Sequence, residues 1–187
     1  WDLIPVLSFI FLGGRCRYCG AEISRRYPLT EVLAGLVTVL WWEKFDISVE
    51  NLILLVFIYL LLAIAFIDFE LKLVPNRLIF PALLVGFILR IYQGEFAQSV
   101  VDILAGGGIL AVIAWIYPQG MGVGDVKLLM TIGLYLGWRN ALFVLFSGSF
   151  LGVAVILPLI LAGKRGRKDP FPFAPFLVVA ALLLIYW

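Results

Sequence analysis

Long apolar runs, interrupted by short segments rich in charged residues, glycine and proline, make up most of this chain. Seven of these runs are candidates for membrane-spanning helices, and they cover residues 28–42, 52–67, 78–91, 100–117, 128–138, 141–161 and 175–187. Unpaired backbone is not tolerated against lipid, and no segments of about ten residues with alternating polarity suggest a barrel. The pattern therefore predicts an all-α, polytopic membrane helix bundle of about seven spans.

The amino-acid composition also indicates a membrane protein. Of 187 residues, 64% are hydrophobic and 14% are charged, against about 45–50% and about 25% in soluble proteins. The net charge of +2 excludes a broad electrostatic surface for nucleic acid. Because histidine is absent, histidine-based triads and imidazole metal ligands are excluded, and carboxylates, thiols, lysines and hydroxyls remain for any chemistry.

Basic residues are distributed unevenly between the two sides of the predicted bundle. If the spans alternate, residues 1–27 and the loops 68–77, 118–127 and 162–174 share one side. Of the 14 basic residues, only Lys44, Arg90 and Arg139 fall on the other side. The positive-inside rule then makes the basic side cytoplasmic. We predict a cytoplasmic loop region at residues 1–27 and a transmembrane domain, surrounded by membrane lipid, at residues 28–187.

Two aspartates directly follow or precede apolar runs on this cytoplasmic side. They are Asp68 and Asp125, and ionisable groups at a membrane are costly enough to suggest a function. The structural alternative is that each caps a helix or pairs with Lys72 or Lys127. Two neighbouring carboxylates can share one proton, so that one acts as base on a water molecule and the other as acid on a peptide carbonyl. Asp68 and Asp125 are the candidate catalytic pair.

Glycines alternate along the chain up to the second aspartate, at Gly120, Gly122 and Gly124. Glycine allows another backbone to approach closely, as an extended peptide substrate must. We therefore predict substrate binding at Gly122, Gly124 and Lys127. The alternatives are a turn with Asp125 as helix N-cap, and a lysine that reaches lipid headgroups or keeps an aspartate ionised.

The two cysteines, Cys16 and Cys19, form a C-x-x-C motif in a basic loop. They supply two of the four ligands of a structural zinc site. The chain begins at Trp1 without a signal-peptide pattern, and we expect a further segment upstream.

Four separated blocks resemble the prepilin leader peptidases of type IV pilus, type II secretion and competence systems. The blocks are IPVLSFIFLGGRCRYCGAEISRRYPLTEVLAG, FIDFELKLVPNRLIFP, GMGVGDVKLLMTIGLYLGW and PFPFAPFLVVAALL. The resemblance implies a membrane aspartic protease of the G-x-G-D type with Asp68 and Asp125 as its catalytic pair. It implies that a type IV prepilin or pseudopilin is cut after a glycine at the cytoplasmic face of a prokaryotic inner membrane. The family has eight spans, which implies a first span upstream of Trp1.

The resemblance also implies cofactors. Many bacterial members N-methylate the newly exposed residue with S-adenosylmethionine, and a loop with paired C-x-x-C motifs that binds zinc is associated with this activity. Only one pair, Cys16 and Cys19, is present in this chain. In the last block the family usually has glycine where this chain has Ala174, and we expect cleavage to tolerate the change.

Three other functions stay open at this point. The first is a small proton- or cation-coupled transporter that uses Asp68 and Asp125, although G-x-G-D occurs once and no second similar half is evident. The second is a non-catalytic assembly subunit that binds the same substrate. The third is a presenilin-like protease with a different substrate, which shares G-x-G-D but not the other three blocks.

Overall fold

Helices form nearly all of the regular structure of the chain. The structure, a computed structural model, describes residues 4, 6–117, 122–164, 166 and 171–187. In this part of the chain there is no β-strand, only an isolated antiparallel bridge between Arg15 and Glu22. The helices are α1 (Leu7–Phe11), α2 (Arg26–Lys44), α3 (Val49–Leu71), α4 (Asn76–Tyr92), α5 (Phe96–Ile116), α6 (Val123–Leu136), α7 (Trp138–Leu161) and α8 (Ala174–Tyr186). The all-α prediction is confirmed, and each predicted run corresponds to one helix from α2 to α8.

Helix ends differ from the predicted runs at the two positions that matter most for chemistry. Helix α3 continues to Leu71, so Asp68 lies in its last turn. Helix α6 begins at Val123, five residues before the start of the predicted run at residue 128, so Asp125 lies in its first turn. Hydropathy ends a run at the first charged residue, whereas the backbone hydrogen bonds of a helix continue through it.

In the part of the chain that the structure describes, three helices are long and apolar enough to cross a membrane. They are Val49–Leu71, Phe96–Ile116 and Trp138–Leu161, and Ala174–Tyr186 is a shorter apolar helix. Helix α6 has only 14 residues, below the roughly 17 needed for a full span. A helical membrane protein is thus supported, and the count of about seven spans stays a prediction.

The chain divides into two compact units, Trp1–Ile47 and Ser48–Trp187. The first unit contains α1, α2 and the C-x-x-C loop. Within it, the main-chain N–H of Val6 donates to Oε2 of Glu31 at 2.7 Å. The boundary predicted at residue 27, between a cytoplasmic loop and the membrane domain, stays a prediction about topology.

In the second unit, α6 is the central helix. It packs against α4, α5, α7 and α8. Four of its leucine and isoleucine side chains are fully buried, namely Leu128, Leu129, Ile132 and Leu134. A short helix that packs against four neighbours has its position restrained by them. The helix that carries Asp125 is therefore held by four other helices of this unit.

Glycines hold α5 and α6 in close contact. A Cβ atom on Gly133 would clash with the main-chain oxygen of Asp102, and one on Gly107 would clash with the side chain of Met130. By contrast, a Cβ atom on Gly108 would meet nothing within 4 Å. Small residues at these contacts let two helix backbones approach more closely than larger side chains permit.

Candidate active site

Asp68 is buried at the end of α3, with 4% of its surface exposed. Its Oδ2 accepts a hydrogen bond of 3.1 Å from the main-chain N–H of Ala174. Ala174 is the first residue of α8, where main-chain N–H groups have no partner within their own helix. The positive end of α8 also favours a negative charge at this place. Asp68 therefore caps a helix other than its own.

Asp125 lies in the first turn of α6 and is partly buried. The N-cap of this helix is Gly122, in an extended conformation, and no side chain caps the helix. The main-chain N–H of Asp125 donates to the carbonyl oxygen of Gly122 at 3.1 Å. The alternative in which Asp125 is the N-cap is therefore wrong, because the helix starts earlier than hydropathy indicates.

Asp68 lies in the last turn of α3, and the start of α6 packs against the connection that follows this helix, where Gly124 contacts Val74. The carboxylates of Asp68 and Asp125 are close enough to interact electrostatically. Within the described residues neither carboxylate forms an ion pair with a basic side chain, so the alternative pairing with Lys72 or Lys127 is not found. Lys72 is instead the left-handed C-cap of α3, and its N–H donates to the main-chain oxygen of Asp68 at 2.8 Å.

The two glycines predicted to bind substrate lie beside this pair. A Cβ atom on Gly122 would be 3.3 Å from Oδ2 of Asp125, so glycine at this position leaves room for the carboxylate. A Cβ atom on Gly124 would be 2.8 Å from Cβ of Val74, so this glycine admits the connection between α3 and α4. Substrate binding by the two glycines stays a prediction, and Gly120 lies outside the described residues.

Lys127, also predicted to bind substrate, contacts α4. Its Nζ donates to Oδ1 of Asn76 at 3.0 Å and lies 5.5 Å from the centroid of the Phe80 ring. Sequence analysis overlooked Asn76, the first residue of α4, which follows Pro75. The only feature of the sequence that could have drawn attention to Asn76 was its position near a predicted helix start. Substrate binding by Lys127 stays a prediction.

Cys16 and Cys19 lie in the other compact unit and form no disulfide. In the part of the chain that the structure describes, no three cysteine, aspartate or glutamate side chains are placed to hold a metal ion. Two thiols supply half of a structural zinc site. Zinc binding by Cys16 and Cys19 therefore stays a prediction.

A second buried carboxylate, Asp102, was also missed by sequence analysis. It is 1% exposed and lies in α5. Oδ1 accepts hydrogen bonds from Nε2 of Gln98 at 2.9 Å and from the main-chain N–H of Trp138 at 3.0 Å. Arg90 approaches Oδ2 of Asp102 to 3.5 Å and also pairs with Glu95. A lone aspartate four residues after a glutamine, inside an apolar run, was the available signal.

Comparison with known proteins places both aspartates in one family match. Residues 55–157 match the Type IV leader peptidase family, and residues 1–45 match the bacterial peptidase A24 N-terminal domain. This chain belongs to the type IV leader peptidase family. The assignment confirms the resemblance found in the sequence. The first match contains Asp68 and Asp125, and the second contains Cys16 and Cys19.

Relatives in this family are similar along nearly the whole chain. A prepilin leader peptidase/N-methyltransferase from Aeromonas salmonicida (strain A449) is 35% identical over 191 residues, which cover 98% of this chain and 66% of the relative. Proteins of the same name from Pseudomonas putida and Bacillus subtilis (strain 168) are 33% and 34% identical, covering 100% and 97% of this chain and 67% and 74% of the relatives. The chain thus spans slightly less than two thirds of the Aeromonas relative's length. No solved structure matches the chain.

Proposed function

We propose that this chain is a membrane-embedded aspartic endopeptidase that removes the leader peptide of type IV prepilins or pseudopilins. The observation that carries the proposal is the juxtaposition of Asp68 and Asp125 on two separate helices, without a basic partner among the described residues. Family membership supports the substrate class, because the relatives are named prepilin leader peptidases. The comparisons do not support the transporter alternative.

The chemistry follows from two carboxylates that share one proton. Like charges at short range cannot both ionise easily, so one carboxyl group keeps its proton. The ionised group takes a proton from water while the water oxygen attacks the carbonyl carbon of the scissile peptide. The protonated group donates to the carbonyl oxygen. Collapse of the tetrahedral intermediate breaks the C–N bond, and the amine leaves with a proton returned by the pair.

Contacts of Asp68 suggest how one carboxylate is oriented for this step. Oδ2 is bonded to the Ala174 N–H. Oδ1 has no hydrogen bond among the described residues, and we assign it to the attacking water. A main-chain donor at a helix start is rigid, so it orients the carboxylate without a second titrating group.

The site of cleavage is proposed from the sequence. The loops predicted to be cytoplasmic include 68–77, with Asp68 and two basic residues, and 118–127, with Asp125 and Lys127. We therefore place the active site at the cytoplasmic face of a prokaryotic inner membrane, with cleavage after the glycine that precedes the hydrophobic helix of the pilin. Zinc and S-adenosylmethionine-dependent methylation remain predictions, since no contact among the described residues supports either cofactor.

The test is cleavage of a purified prepilin by the purified chain in liposomes, with mass spectrometry of the product. The unsubstituted chain should release a product that begins directly after glycine, and Asp125→Asn should release none while keeping its elution profile and helical content. Asp46→Asn is the matched control, because it makes the same change at an exposed aspartate, and it should cut normally. Equal cleavage by the chain and Asp125→Asn would overturn the proposal. Addition of S-adenosylmethionine in a second arm would reveal methylation as an added methyl mass.

A further inference from the structure

Only four residues, 72–75, separate the helix that carries Asp68 from the next helix. Helix α3 ends at a left-handed Lys72, and α4 starts at Asn76 after an extended Pro75. A connection this short leaves the start of α4 close to the end of α3. Any contact that fixes Asn76 therefore also restrains the end of the helix that holds Asp68.

Helix α6 contacts this connection on either side of Asp125. One residue before Asp125, Gly124 packs against Val74 so closely that a Cβ atom would be 2.8 Å from the valine Cβ. Two residues after Asp125, the Lys127 ammonium donates to Asn76 at 3.0 Å. The same ammonium lies over the Phe80 ring, one turn further along α4.

The chemistry of the lysine contact favours a fixed ammonium. Asn76 is uncharged, so the hydrogen bond holds the ammonium without neutralising it. An aromatic face adds attraction from a second direction. In the described part of the chain Lys127 has no carboxylate partner. Asn76 and Phe80 are exposed, so these two contacts hold the lysine against α4 at the surface and direct it toward this helix rather than toward lipid headgroups.

We propose that Lys127 and Asn76 form a clasp between α6 and α4 that sets the separation of Asp68 and Asp125, so that Lys127 is a positioning residue for the catalytic pair. This inference rests on the proposed peptidase function. It differs from the prediction that Lys127 binds substrate, because the effect of the lysine then passes through Asn76. Catalysis is sensitive to such positioning, since a misplacement of about 1 Å can cost about 100-fold in rate.

The kinetic test is a double-mutant cycle with Lys127→Met and Asn76→Ala in the full chain in liposomes. Each single variant should lower kcat for prepilin cleavage by about 10- to 100-fold with little change in KM. The double variant should be no worse than the poorer single variant, because both remove one contact. Lys127→Arg, which keeps a cationic donor, should restore most of the rate. Additive losses, or a rise in KM with unchanged kcat, would overturn the clasp and favour direct substrate binding.

A second measurement is independent of prepilin cleavage. Spin labels at Leu71→Cys and Val123→Cys, in a Cys16→Ser, Cys19→Ser background, report the separation of the α3 end and the α6 start, and both sites are 63% exposed. Double electron–electron resonance should give a narrow distance distribution that Lys127→Met and Asn76→Ala each broaden. Lys164→Met, at an exposed lysine, is the control and should leave the distance distribution narrow.

Unchanged distance distributions in Lys127→Met and Asn76→Ala would refute the clasp even if the chain cuts prepilin. Broadened distributions would support the clasp even if it does not cut, in which case only the peptidase proposal fails.

Discussion

Asp68, in the last turn of α3, and Asp102, in the second turn of α5, are both buried carboxylates, yet they lie in contrasting surroundings. Each accepts the first main-chain N–H of another helix, from Ala174 of α8 or from Trp138 of α7. Asp102 also has Arg90 at 3.5 Å. Asp68 has no basic partner among the described residues, and it interacts electrostatically with another carboxylate, that of Asp125.

The contrast separates two uses of a buried charge. A charge in a low-dielectric interior is stabilised by a counter-ion and hydrogen bonds, as at Asp102. A carboxylate opposed by a second carboxylate is less stable than it would be alone, and folding does not benefit from it. The arrangement at Asp68 is therefore expected to serve chemistry, and the arrangement at Asp102 is expected to hold α4, α5 and α7 together.

Exchange of each aspartate for asparagine should give the largest difference between the two sites, in cleavage at one and in stability at the other. Asp68→Asn should lower prepilin cleavage by about 1,000-fold or more, because the variant loses a general acid–base group. It should remain folded, since asparagine still offers an oxygen to Ala174. Asp102→Asn should do the opposite, with cleavage retained and stability lowered, because Arg90 loses a counter-charge. Initial rates in liposomes and unfolding in mixed micelles measure the two effects. Lost cleavage in a stable Asp102→Asn variant would contradict the division of roles.

Removal of the Arg90 cation, which lies beside Asp102, should have the next largest effect. Arg90→Met keeps much of the side-chain stem but leaves Asp102 without its counter-ion and Leu134 without the donor to its carbonyl oxygen. The free energy of unfolding should fall by about 3 kcal/mol. The double variant Arg90→Met, Asp102→Asn should recover part of this loss, because the uncompensated charge is gone. Circular dichroism during unfolding in mixed micelles measures both, and a stable Arg90→Met variant would show that the ion pair contributes little.

Much of this arrangement was accessible from the sequence because it is local. Apolar runs mark each helix from α2 to α8, and an aspartate at the edge of such a run stands out. Hydropathy nevertheless misplaced the start of α6, since Gly122 and Asp125 are polar or small although they belong to the helix start. The position of Asp125 as a first-turn residue rather than an N-cap could not be seen from residue type.

Several contacts in and around the candidate site join residues that are distant in sequence and involve an uncharged partner. Asp68 and Ala174 are 106 residues apart, and Asn76 and Lys127 are 51 residues apart. A main-chain N–H is present at almost every residue, so the sequence does not reveal which one a carboxylate will meet. Asp102 escaped notice for the same reason, because its partner at Trp138 is a main-chain N–H supplied by another helix.

Gly133 of α6 contacts the main chain of Asp102 in α5. Its substitution tests how closely these two helices pack, and the expected effect is smaller. Gly133→Ala places a methyl group against the main-chain oxygen of Asp102, which cannot move aside as a flexible side chain would. Unfolding free energy should fall by about 2 kcal/mol. Gly108→Ala is the matched control in the facing helix α5, where a Cβ atom meets open space, and it should stabilise the protein by about 0.5 kcal/mol. Equal effects of the two substitutions would show that the seam between α5 and α6 is not closely packed.

The smallest effect is expected at Ala174, on the Asp68 side of the comparison. Ala174→Gly keeps the main-chain N–H that Asp68 accepts and removes only a fully buried methyl group. Cleavage should stay within about twofold of the unsubstituted rate, whereas the free energy of unfolding should fall by about 1 kcal/mol. Initial rates and unfolding curves of the same preparation separate the two quantities. If Ala174→Gly instead slowed cleavage as strongly as a change in the catalytic pair, the alanine side chain would have to contribute to the site. The arrangement at Asp68 would then depend on the alanine methyl group as well as on the main-chain hydrogen bond from Ala174.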